Sequence, residues 1–201
     1  MSLHVLSRRW ALGLLLSLGL GTWAWADRFN FGPYGVGFDL PHEFTSVPFD
    51  QHPTLAPANT PSLQIIANPD RSLFVSYQTL DHDLTQFDLG QAQLVFEAKL
   101  KAMLPGLVLK KGEFLLVDKE PSLHFEFESK DGKGVAYFSS MFVTARDKQM
   151  VLVIFRARLD SFKANQATLR ASADSLSMHD VLPKVDPDIF NKSGKAAKSK
   201  K

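Results

Sequence analysis

Apolar and polar positions alternate with a period of two over residues 123–159, LHFEFESKDGKGVAYFSSMFVTARDKQMVLVIFRARL, and two turn signals divide this stretch into three antiparallel strands. Asp131-Gly132 is a pair suited to positive φ in a tight hairpin turn. Centring the first turn there puts Glu128 opposite Val135, Glu126 opposite Tyr137 and His124 opposite Ser139. The second connection centres on Asp147-Lys148. A loop of two or four residues there pairs Ser139 with Arg156 and Tyr137 with Arg158. In this register one face collects Leu123, Phe125, Phe127, Ala136, Phe138, Phe142, Val153, Phe155 and Ala157. The other face is apolar near the second turn, through Met141, Val143, Met150, Leu152 and Ile154. Its opposite end is polar: His124, Glu126, Glu128, Tyr137, Ser139, Arg156 and Arg158. The run MVLVIF is apolar on both faces and predicts cover on both sides of the sheet.

Upstream, GVGFDLPHEF predicts a short strand through Phe38 and Leu40, stopped by Pro41. A loop then runs to Pro61, held extended by Pro48, Pro53 and Pro57. Residues 62–67 and 72–80 predict a strand pair joined at Asn68-Pro69-Asp70. Residues 88–104 carry the strongest helical pattern, with Leu89, Ala92, Phe96, Leu100 and Met103 facing inward and Val95, Ala98 and Ala102 widening the stripe. Asp88 and Gln91 suggest a capping box, Glu97 and Lys101 an i,i+4 pair on the polar side, and Pro105-Gly106 a stop. Residues 107–111 and 113–117 predict two more strands. After Leu159, a helix capped by Asp160 or Ser161 runs to about Leu176, with Phe162, Leu169, Ala173 and Leu176 inward. The order predicts an α+β fold, an antiparallel β-sheet with helices packed on it.

Composition places this domain outside the cytoplasm. Arg8-Arg9, the apolar run 10–20 and Ala24-Trp25-Ala26 form a signal peptide over residues 1–26, which directs the chain to the periplasm after cleavage before Asp27. General export fits better than the twin-arginine route, because Ala11 stands where that signal has a large apolar residue. Residues 27–182 form one domain, and residues 183–201 a disordered Lys-rich tail. With no cysteine, the chain has neither disulfides nor a Cys-based metal or catalytic site. Between Asp27 and Phe190 it carries 16 basic against 21 acidic residues, a net of −5, which argues against nucleic acid. The tail after Phe190 holds five lysines, and contact with a membrane is expected only there.

The entry GFDLPHEF, the helix FDLGQAQLVFEAKLKAML and the C-terminal LDSFKANQATLRASADSL together resemble the PsbP-like fold, an α/β/α sandwich that includes the exported DcrB-type bacterial proteins. Phe44 stands where that family commonly has Trp. The resemblance covers residues 34–178 and rests on hydrophobic pattern. It implies an accessory or binding domain without a cofactor, engaging an envelope protein or a small ligand.

The residues themselves offer one candidate binding site: His124, Glu126, Glu128, Tyr137, Arg156 and Arg158. In the register above, Glu126 and Arg158 flank Tyr137, so their long side chains can meet over the ring. The plainer account is a solvated sheet end with cross-strand ion pairs, or charge protecting an edge through Glu126 and Glu128. A metal- or acid/base-dependent hydrolase at His124, Glu126 and Glu128 is the alternative function. For metal, neighbouring arginines already suit the two glutamates, and Asp81-His82-Asp83 reads better as a capped, solvated junction. No G-x-S-x-G elbow is present, and the glycines of FGPYGVGF do not open a helix.

Overall fold

A computed structural model describes residues 26–31, 35–47, 64–81, 88–104, 106–146 and 148–178. The expected signal peptide apart from Ala26, nearly all of the proline-rich loop, His82 and Asp83, and the Lys-rich tail lie outside the described residues. Two strands, β1 (Ala26–Phe31) and β2 (Val36–Pro41), pair as a separate antiparallel ribbon. The main sheet has seven antiparallel strands: β3 (Thr45–Ser46), β4 (Gln64–Ala67), β5 (Leu73–Asp81), β6 (Val108–Val117), β7 (Glu120–Lys130), β8 (Ala136–Arg146) and β9 (Gln149–Arg158). Their order across the sheet is β3-β4-β5-β9-β8-β7-β6. Helix α1 (Leu89–Met103) lies over β6 and β7, and α2 (Phe162–Asp174) over β9 and β2. The expected α+β architecture is the observed one.

The β8–β9 register is the expected one, with Ser139 opposite Arg156 and Tyr137 opposite Arg158. The β7–β8 register differs. Glu126 lies opposite Ser140, Ser129 opposite Tyr137 and His124 opposite Phe142. The turn explains the difference. Asp131 N–H donates to Val135 O at 2.9 Å and Gly134 N–H to Asp131 O at 3.0 Å, leaving three residues between the bonded pair. Gly134 takes φ +81°, the left-handed residue of a three-residue hairpin loop. Asp131 Oδ1 secures the turn by accepting N–H groups of Lys133 and Val135, each at 2.9 Å. The register therefore moves by an odd number of residues, and β7 presents each side chain to the face opposite the expected one.

This flip decides the two cores. On the α2 side, Phe138, Phe142, Val153, Phe155 and Ala157 pack with Val36, Phe38 and Leu40 of β2 and with Leu169 and Leu176. On the α1 side, Leu123, Phe125 and Phe127 join Met141, Val143, Met150 and Leu89 rather than Phe138 and Phe155. The residues of MVLVIF divide between the two cores, Val151, Val153 and Phe155 to one, and Met150, Leu152 and Ile154 to the other, so both faces are covered as expected.

Helix α1 forms where expected but is rotated. Leu89, Phe96, Leu100 and Leu104 pack inward, while Leu94, Val95 and Met103 are 75%, 55% and 61% exposed. Glu97 faces the sheet rather than pairing with Lys101 on the polar side. Gln93 Nε2 donates to Glu97 Oε1 at 3.3 Å and to Gly112 O at 3.0 Å. A Cβ on Gly112 would lie 2.6 Å from Glu97 Oε1, so the missing side chain is what lets the helix approach β6. The expected capping box is absent: Asp88 sits at the N-cap in helical conformation with no side-chain cap bond. The two strands expected over residues 107–117 are one strand, β6, with a bulge between Leu109 and Lys111. Strand β7 is covered by β6 and is not an edge, so Glu126 and Glu128 do not protect one. Helix α2 follows a short 3₁₀ turn, Leu159–Ser161, and buries Leu169 with Phe162, Ala173 and Leu176 alongside.

Candidate functional site

The six residues expected to share a sheet end divide between its two faces. Strand alternation places Tyr137, Arg156 and Arg158 together on the α1 side. The flipped register carries His124, Glu126 and Glu128 to the α2 side, so Glu126 does not meet Arg158 over the Tyr137 ring.

On the α2 side each polar group has a partner. His124 is 7% exposed and stacks on Phe142 with ring centroids 4.4 Å apart. Its Nδ1 lies 3.1 Å from Glu113 Oε1 and its Nε2 2.9 Å from Ser140 Oγ. Glu113 also meets Lys111 Nζ at 2.6 Å. Lys111 first, then His124, holds the Glu113 carboxyl below the usual glutamate range. Glu128 pairs with Lys110 at 3.1 Å and Glu126 with Arg170 of α2 at 3.9 Å. The sequence Glu113–His124–Ser140 has the order of a catalytic relay, but Ser140 is 3% exposed in mid-strand. A nucleophile must meet its substrate. This hydroxyl has no open side, and the trio serves to satisfy buried polar atoms. Among the described residues, no three His, Asp or Glu side chains are placed to hold a metal ion.

The α1 side is different. Arg156 is 2% exposed, and its Nε, Nη1 and Nη2 make no hydrogen bond among the described residues. Its Cζ lies 3.9 Å from the centroid of the Tyr137 ring, a cation–π contact. Across the strands it faces Phe74 on β5 and Ser139 on β8. Burial pushes the guanidinium down to about 10, partly offset by Tyr137 and Asp131, so it stays charged at neutral pH. Burial likewise pushes the Tyr137 phenol up, against the pull of the Arg156 charge. The hydroxyls of Ser139 and Ser129 are buried without hydrogen-bond partners among the described residues. Arg158 is spoken for: its Nη2 binds Asp160, which raises its pKa and lowers that of Asp160. Ile65, Ala67, Phe74 and Tyr137 form a small buried apolar cluster beside the guanidinium.

Sequence reasoning thus reached Tyr137, Arg156 and Arg158, because the β8–β9 register was readable. It missed Ser139 as a site residue, Phe74 opposite Arg156, and Glu113 and Ser140 around His124. The pair Ser139-Ser140 inside the apolar YFSSMFV is the signal that marks both faces.

No protein-family model matches the sequence, and no curated protein does. Solved structures do match. LpqN of Mycobacterium tuberculosis, involved in cell envelope biogenesis, is 12% identical with a TM-score of 0.45 over 76% of this chain and 89% of its own. Cyanobacterial PsbP (CyanoP) of Synechocystis is 18% identical with a TM-score of 0.56, covering 83% of this chain and 99% of its own. This chain has the PsbP-like fold.

Proposed function

We propose that the protein is an exported, non-catalytic accessory domain of the periplasm, DcrB-like in role, that holds an envelope protein or small ligand at the Tyr137–Arg156 face. The observation that carries this reading is Arg156: a charged guanidinium, buried and stacked on Tyr137, with no hydrogen-bond partner among the described residues. Native interiors rarely leave three charged donors unbonded, because desolvation is not repaid. A binding partner that supplies the acceptors removes the cost. Export is supported by the leader-like residues 8–26. Among the described residues no helix is long and apolar enough to cross a membrane.

The test is crosslinking in the native envelope followed by mass spectrometry, on wild type and Arg156→Met. Recovery of a bound species by the wild type, reduced roughly tenfold or more in the variant, is expected. Equal recovery from both, with both folded, removes the Tyr137–Arg156 face as the site. Osmotic-shock release of a chain beginning at Asp27 checks the location, and retention in the cytoplasm overturns it.

A further inference from the structure

Strand β6 ends the main sheet with β7 as its single neighbour, so among the described residues its other side is an open edge. Which backbone groups face that edge follows from the β6–β7 turn. Asp118 and Lys119, with φ of 49° and 72°, make a two-residue turn that closes on Val117 opposite Glu120. In such a hairpin the closing pair is hydrogen-bonded and the bonding alternates from there. Val117 and Leu115 therefore bond β7, while Leu116, Phe114 and Gly112 turn N–H and C=O outward. Gln93 Nε2 already donates to Gly112 O, and the bulge before Lys111 disrupts the first half of the edge. The second half is open: Phe114 and Leu116 are 47% and 63% exposed. Phe114 lies against the start of α1, where a Cβ on Gly90 would stand 3.8 Å from its ring, and Leu94, one turn on, is exposed. An edge both open and apolar is a strand-pairing surface that folded proteins ordinarily cover.

We infer that residues 181–185, VLPKV, add to this edge as an antiparallel strand of the same chain. The first reason is where the chain leaves the described fold. Met178 N–H donates to Asp118 Oδ2 at 3.1 Å, so the last described residue is held at the turn where the open half of β6 ends. Three more residues span up to about 10 Å, which brings Val181 to the edge beside Val117. The second reason is proline. Pro183 and Pro187 share one parity, so when the even-numbered residues bond β6 both prolines turn their missing N–H to solvent. That is the position an edge strand tolerates, and it blunts the new edge. The third is the order of side chains. With Leu182 opposite Leu116 and Lys184 opposite Phe114, those two residues exchange N–H···O bonds with the outward groups of β6. Val181 and Pro183 then stand beside Val117 and Leu115, and Leu182 covers Leu116 and Phe114 on the α1 side. The tether keeps this strand at high effective concentration, an advantage over a second copy or another protein. The domain then extends past the boundary expected at residue 182, and the lysines from Lys192 on stay beyond it. This reading is independent of the Tyr137–Arg156 face.

Amide hydrogen exchange, followed residue by residue by NMR on the purified full-length protein, tests the inference. The N–H groups of Phe114 and Leu116 are expected to exchange roughly tenfold or more slowly in wild type than in a variant carrying Val181→Asp and Leu182→Asp, at every protein concentration. Both substitutions lie outside the two cores, and the buried amides of β8 are the control that the fold is unchanged. A second measurement uses the absence of cysteine from the chain. Leu116→Cys combined with Leu182→Cys is expected to close an intramolecular disulfide roughly tenfold or more faster than Leu116→Cys combined with Ser199→Cys. Fast exchange of both amides in wild type shows an open edge and overturns the inference. Protection lost on dilution overturns it in favour of a second copy, and protection that survives the double substitution in favour of another occupant. Equal closure rates for the two cysteine pairs overturn it as well.

Discussion

Arg156 and Glu113 sit on opposite faces of the sheet and put opposite demands on the fold. The guanidinium of Arg156, unbonded among the described residues, costs stability that its contact with Tyr137 repays only in part. Arg156→Met keeps the length of the side chain and removes the charge, so it is expected to stabilise the unliganded protein by about 1 kcal/mol or more. A urea midpoint that falls instead shows that the charge is satisfied within the fold. Glu113 works the other way. Its folded-state pKa is depressed by Lys111 and His124, so its contribution to stability is complete above the unfolded pKa and is lost as pH falls through the folded one. Urea midpoints are expected to drop below roughly pH 4.3, and Glu113→Gln to flatten that limb. An unchanged acid limb in the variant sinks the assignment. Arg156 and Tyr137 were legible because they lie two positions apart across one hairpin of readable register. Glu113 was not, since the turn that pairs it with His124 is made by Asp118 and Lys119 in left-handed conformation, with no glycine to mark it in the sequence.

The elements form where the hydrophobic pattern places them, and their errors are of orientation. Asp131-Gly132 looks like the centre of a two-residue turn, yet the left-handed residue is Gly134, two positions on. The choice cannot be made from the strands, because DGKG offers a glycine to either turn. Gly134→Ala is expected to cost about 1 kcal/mol from the left-handed backbone alone, since nothing lies within 4 Å of its added Cβ. Gly132→Ala, equally open and without a positive φ, is the control and is expected to cost clearly less. If the two variants unfold at the same urea concentration, the turn is not the one described. The rotation of α1 has a comparable cause. Val95 and Met103 belong to the apolar stripe in sequence, but Gln93 and Glu97 are drawn to Gly112, where the sheet has no side chain to hold the helix off.

At the scale of the whole molecule, one sheet serves two cores, and this makes its stability indivisible among the described elements. Strands β8 and β9 send alternate residues to each side, so loosening either core frees the strands the other is built on. Phe155 on the α2 side meets Phe38 of the β1–β2 ribbon edge-on at 5.2 Å, and Phe142 at 6.1 Å. The ribbon is tied to the chain beyond α2 as well, through Gly37 and Ser177, which exchange backbone hydrogen bonds at 2.9 and 2.7 Å. Phe125 holds the α1 side, fully buried beneath the approach of α1 to Gly112. Phe155→Ala and Phe125→Ala are each expected to cost about 3–5 kcal/mol, a large part of a typical domain's stability. Each variant should still unfold in a single transition, seen at the same urea concentration by far-UV circular dichroism and by aromatic fluorescence. Non-coincident transitions in Phe125→Ala alone would mean that α1 and its core open as a separate unit. The Tyr137–Arg156 face would then lie beside a mobile helix instead of on a rigid sheet, and a site there could no longer be treated as preorganised.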